Sequence, residues 1–98
     1  MMLIYAISAV RLNRDHTRIS EVLWQQLGGS QPIEYSPVIA AVVEVVEVLT
    51  AGNKVFLIRQ DEVGTWMNTY TEFKPVSYPF GEVGITNAEY PLDDLPTF

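Results

Sequence analysis

Val38 to Gly52 read VIAAVVEVVEVLTAG, and the shape given to these fifteen residues decides the fold. Valine favours strands, so local preference argues against a helix. Periodicity argues for one. At about 100° per residue, Ala40, Ala41, Glu44, Glu47 and Ala51 fall within one narrow arc. Val38, Ile39, Val42, Val45, Val46 and Leu49 cover most of the remainder. As a single strand the run is too long, and Glu44 and Glu47 would point to opposite faces. The flanks agree with a helix. Ser36 is placed to cap the first free amides, Pro37 suits the first helical position, and Gly52 suits the left-handed stop. The spacing predicts a helix across this stretch, its wide apolar arc buried against a sheet.

Strand signals lie on both sides. Met2–Leu12 alternates weakly and is rich in Ile, Tyr and Val, Asn13–Thr17 has turn chemistry, and Ile19–Leu27 reads as the returning strand. On that strand Ile19, Leu23 and Leu27 are assigned to one face and Val22 and Trp24 to the other. Gly28–Tyr35 breaks the pattern and reads as a loop. After the helix, Lys54–Gln60 and Thr65–Phe73 read as strands, Lys74–Gly84 as irregular, and Val83–Thr86 as a short fifth strand. The expected fold is α+β: a single helix packed on an antiparallel sheet, in the order β-β-α-β-β-(β), with an extended C-terminal tail. Residues 1–98 form one compact domain, with no repeat and no linker.

Composition narrows the function. The 98 residues are 48% hydrophobic and 18% charged, which is globular. There is no cysteine, so a disulfide, a thiolate nucleophile and a cysteine-held metal are excluded, and a reducing, cytoplasmic setting is expected. The apolar start has no basic region before it and reads as a strand, not a signal peptide or membrane span. The net charge is −6. Up to Arg59 basic and acidic residues balance; beyond it seven acidic residues face only Lys74. Affinity for nucleic acid needs clustered Lys and Arg, so that class is disfavoured.

No catalytic set has recognisable spacing. His16, the single histidine, lies in the predicted hairpin turn, where it reads either as an exposed turn residue or as a general acid–base. Glu44 and Glu47 lie one turn apart among alanines, as on a solvated face. No metal or cofactor site is expected, and Gly28-Gly29 lacks the Lys and Ser/Thr of a phosphate loop. Arg11, Arg14 and Arg18 bracket the hairpin turn. They form either an anion patch or ordinary pairs with Asp15 and Glu21.

Aromatics are the richest feature: Tyr5, Trp24, Phe56, Trp66, Tyr70, Phe73, Tyr78 and Phe80. They read as core or, where some share an open sheet face, as a platform for a protein or peptide. The tail YPLDDLPTF, Tyr90–Phe98, poses a similar choice. Pro91 and Pro96 hold it extended, while Tyr90, Leu92, Leu95 and Phe98 are apolar enough to finish the domain's own core or to dock on a partner. The intramolecular strap is the favoured reading. The candidate partner-binding residues are Trp24, Trp66, Tyr70, Tyr90, Leu92, Leu95 and Phe98.

Three segments together resemble a family of small bacterial domains of unknown function. YAISAVRLNRDHTRISEVLW (5–24) is similar to that family's first hairpin, AGNKVFLI (51–58) to the strand after its helix, and LDDLPTF (92–98) to its L-x-x-L-P ending. The tail departs from the family's Asp-Asn before the first leucine, having Tyr90-Pro91 instead. The resemblance implies a compact αβ domain in a bacterial or phage context. It implies no activity and no site residues.

The leading expectation is a non-enzymatic binding or regulatory module, partnered by a protein, a peptide or itself. The alternatives are a small enzyme using His16 or an acidic residue near Pro75–Gly84, and an acidic inhibitor that mimics nucleic acid.

Overall fold

The computed structural model describes residues 2–28 and 33–98. Among them the order is β1 (Ile4–Leu12), β2 (Ile19–Gln26), β3 (Val38–Ala41), α1 (Val42–Thr50), β4 (Lys54–Gln60), β5 (Trp66–Ser77) and β6 (Val83–Asn87). The strands form one sheet in the order β3-β2-β1-β4-β5-β6, with α1 on one face, so the class is α+β. No described helix is long and apolar enough to cross a membrane.

The deciding stretch divides instead of choosing. Val38–Ala41 is a strand paired with β2, and only Val42–Thr50 is helical. Ser36 is not the cap; its N–H donates to Gln25 Oε1 at 3.0 Å, and Ala41 takes the N-cap position without a side-chain bond. Strand propensity prevailed where Val38 and Ile39 could pair with Trp24 and Leu23. Gly52 closes the helix at φ +93°, as expected.

That extra strand reverses the rest of the sheet. With β3 present, the chain enters α1 one strand later and returns as β4 parallel to β1, Ile4–Ile7 against Lys54–Leu57. The expected all-antiparallel sheet is therefore a mixed one, its other neighbours antiparallel. The missed strand changes the parity of the chain direction, so the two corrections share one cause. A third correction concerns Lys74–Ser77, which continues β5 in regular pairing with β6.

The helix-side core joins Ile7, Val10, Val22, Leu57 and Phe73 to Val45 and Val46 of α1. Val42 and Leu49 pack against the same cluster, completing a stripe of i, i+3, i+4 and i+7. Register shifts in the β1–β2 pair fall between Ile7 and Ala9 and between Arg11 and Leu12. The second one brings Ile19 into the core cluster with Val22 and Trp24, not with Leu23 as expected.

No described helix covers the opposite face, yet Ala6, Ala9, Phe56 and Ile58 are buried on it. The segment after residue 32 crosses this face. Tyr35 stacks on Trp66 with centroids 3.9 Å apart and shares a 2.9 Å hydrogen bond with Ser8 Oγ. Gln25 pins the same segment, donating from Nε2 to Glu34 O at 2.7 Å. Small side chains on β1 make room for this aromatic cover.

The tail is a strap. β4 leaves β1 after Ile7, so the Val10 amide and carbonyl on that side lack a strand partner. The tail supplies one. Val10 N donates to Pro96 O at 2.8 Å, and Phe98 N donates to Val10 O at 3.2 Å. Leu95 enters the core, and Tyr90 and Leu92 pack beside it. A buried backbone pair is satisfied and the core is closed in one step.

Candidate interaction surfaces

The expected partner-binding residues are mostly engaged inside the chain. Trp24 is buried and stacks on Tyr5 at 4.7 Å. Trp66 lies beneath Tyr35. Tyr90, Leu92 and Leu95 belong to the strap, and Phe98 carries Arg11 at 4.4 Å over its ring. Tyr70 alone of the set is classed as exposed; it meets Phe56 edge-on at 5.7 Å. These residues therefore do not converge on one open platform.

The three arginines do not converge either. Arg11 pairs with Glu21 at 2.9 Å. Arg18 pairs with Glu82 and lies 3.8 Å over the ring of Tyr78. Arg14 is exposed in the turn. Two of the three cations already have anionic partners, so no concentrated positive site remains. His16 is exposed at φ +57° in the β1–β2 turn. It lines an open groove of ≈390 Å³ with Arg11, Asp93 and Phe98. Glu44 and Glu47 are exposed on α1, as on the solvated face expected for them. Among the described residues no three His, Asp or Glu side chains group as a metal site.

Two other features stand out, at opposite ends of the sheet. The first is β3, an edge strand on which Val38 and Ile39 are 61% and 55% exposed, between the exposed Tyr35 and Val43. Reading this stretch as helix hid the edge. The second is the β5–β6 turn. Phe80 is 103% exposed there, with φ +66° and ψ +26°, and Gly81 follows at φ +79°. Consecutive left-handed residues make a type I′-like turn, which Asn-Gly fills with least strain. Phenylalanine in that position costs about 1–2 kcal/mol. Pro79-Phe80-Gly81 lay within the stretch expected to be irregular, and nothing in its composition gave the hand of this turn.

The turn rests on a firm base. Tyr78 N donates to Glu82 O at 2.8 Å, closing the hairpin. The Tyr78 ring lies against Gly84, where an added Cβ would come within 2.7 Å of its Cε2. Arg18 covers the ring and is itself held by Glu82. Pro79 fixes φ at the turn's entry. No family model, curated protein or solved structure matches the chain.

Proposed function

We propose that the chain is a small non-enzymatic binding module that works by strand addition at β3, with a second copy of itself as the occupant. The observation that carries this is the exposure of Val38 and Ile39 on a terminal strand of the sheet. An open apolar edge of this kind templates pairing with another strand. The other edge is guarded: β6 folds toward the β1–β2 turn, where Arg18 meets Glu82 and Tyr78. The absence of cysteine supports a cytoplasmic setting. The acidic-mimic alternative has less support, because Glu72 meets Lys54 and Lys74, Glu82 meets Arg18, and Glu89 accepts from Thr71.

Sedimentation of the wild type and of Ile39→Lys tests the proposal. The wild type is expected to dimerise reversibly, and the lysine variant to remain monomeric with the melting temperature that the wild type shows at dilution, where it too is monomeric. A wild type that stays monomeric at high concentration overturns it. The groove beside His16 favours the enzyme reading as the second choice. A hydrolase activity found in the wild type and lost in His16→Ala would establish that reading.

A further inference from the structure

The slot that the tail fills is built as peptide sites are. Val10 donates its N–H to Pro96 O and accepts from Phe98 N, so a segment running parallel to β1 docks there through its backbone. Leu95 is the anchor in the core. Arg11 and Arg59 lie over the rings of Phe98 and Tyr90 at the two ends. The tail fills this slot incompletely. A cavity of ≈120 Å³ remains beside it, lined by Ile19, Ile85, Tyr90, Leu92 and Leu95 among others. Arg59 Nη2 donates to Asp94 O at 2.8 Å, but the neighbouring Nε is buried with no hydrogen-bond partner among the described residues. Buried polar atoms are nearly always paired, so this one marks a second imperfection of fit.

We propose that this slot is a docking site which the tail holds in cis, and that its outside occupant is an extended segment of another protein. That segment has the tail's Leu-Pro-x-Phe pattern and an aromatic residue where the tail has Leu92. The resident tail sets the pattern, because its backbone and Leu95 are what the slot grips. The misfit sets the rest. A second copy's tail has the same sequence and fits no better, while each chain's own tail competes at a far higher effective concentration. An outside segment displaces the tail only by fitting better, and the cavity beside Leu92 is where bulk can be added. The slot lies on β1 and not on the β3 edge, so either proposal stands or falls without the other.

The test titrates labelled synthetic peptides into three full-length chains: the wild type, Leu95→Ala and Phe98→Ala. Both substitutions weaken the resident tail and leave the slot intact, and Phe98→Ala also spares the core. The peptides are the resident sequence YPLDDLPTF, the same peptide with Leu92→Phe, and the same peptide with Leu95→Ala. The resident-sequence peptide is expected to bind both variants about tenfold or more tighter than the wild type, because less of the slot is occupied in cis. It should also raise the melting temperature of the Leu95→Ala chain by several degrees at saturation. The Leu92→Phe peptide should bind every chain about fivefold tighter than the resident sequence, and the Leu95→Ala peptide should not bind. The proposal is overturned if no peptide binds either variant, if binding ignores the peptide's Leu95, or if Leu92→Phe brings no gain. A dimer that survives Ile39→Lys and is lost in Leu95→Ala also overturns it, by naming a second copy's tail as the occupant.

Discussion

Two segments of this chain begin with Tyr-Pro and have opposite fates. Tyr90-Pro91 leads into Leu92 and Leu95, which close the core, and an arginine, Arg59, lies 4.6 Å over the tyrosine ring. Tyr78-Pro79 leads into Phe80, which stands free in solvent, and again an arginine covers the tyrosine. The local grammar is the same: proline stiffens the backbone and a stacked guanidinium anchors the ring. What differs is what the neighbourhood lacks. Beside the tail, β1 has an unpaired backbone at Val10 and room for a leucine, and the tail fills both. At the turn no described residue takes up the Phe80 side chain, which stays outside. An apolar terminus can thus be structural, while an apolar turn can be surplus to the fold.

The largest effect should come from the strap. Leu95 is 4% exposed, so Leu95→Ala should cost about 2–4 kcal/mol. At about 4–8 °C per kcal/mol the melting temperature should fall by at least about 8 °C in calorimetry. Deleting Leu92–Phe98 should cost more, because the Val10 backbone loses both partners. An unchanged melting temperature for either variant would mean that the tail is not part of the fold. Arg59→Ala should cost less, about 1–2 kcal/mol, through the 2.8 Å bond from Arg59 Nη2 to Asp94 O and the contact with Tyr90. A loss comparable with Leu95→Ala would show that the arginine, not the leucine, holds the strap.

This comparison also shows what the residues alone disclosed. The strap was legible because paired prolines with spaced leucines bar a helix and still supply core material. The first hairpin was legible from alternation and turn chemistry. The split at Ala41 was not, because VIAA fits either period and only its pairing with Val22 and Leu23 settles it. The parallel β1–β4 pair was then hidden too, since its direction depends on counting β3. Trp24 and Trp66 looked like platform residues, but burial depends on what lies opposite. For Trp66 the cover is Tyr35, thirty-one positions away in the segment before β3. At Phe80 the composition was visible and the left-handed backbone was not.

At the turn the contrast is sharpened by Gly84→Ala. The new Cβ would meet the Tyr78 ring at 2.7 Å, so the ring must shift and release Arg18. The expected cost is about 1–3 kcal/mol, as for overpacking elsewhere. The same variant should loosen the tip, seen as faster amide exchange at Tyr78, whose N–H donates to Glu82 O, while the strap amides of Val10 and Phe98 keep their protection. Loss of protection at both places would show that strap and turn are one cooperative unit.

The smallest effect should come from Glu82→Gln. The Arg18–Glu82 pair is solvent-accessible on both sides, with side-chain exposures of 35% and 61%. Exposed pairs contribute about 0–1 kcal/mol, and salt screens them. Arg18 also keeps its place over Tyr78 without the carboxylate, since the ring contact is independent of Glu82. The variant should therefore melt at most about 4–8 °C below the wild type, and the difference should vanish as salt is added. A larger, salt-independent loss would mean that the pair acts through geometry and that the turn, like the strap, is held by the fold's main core.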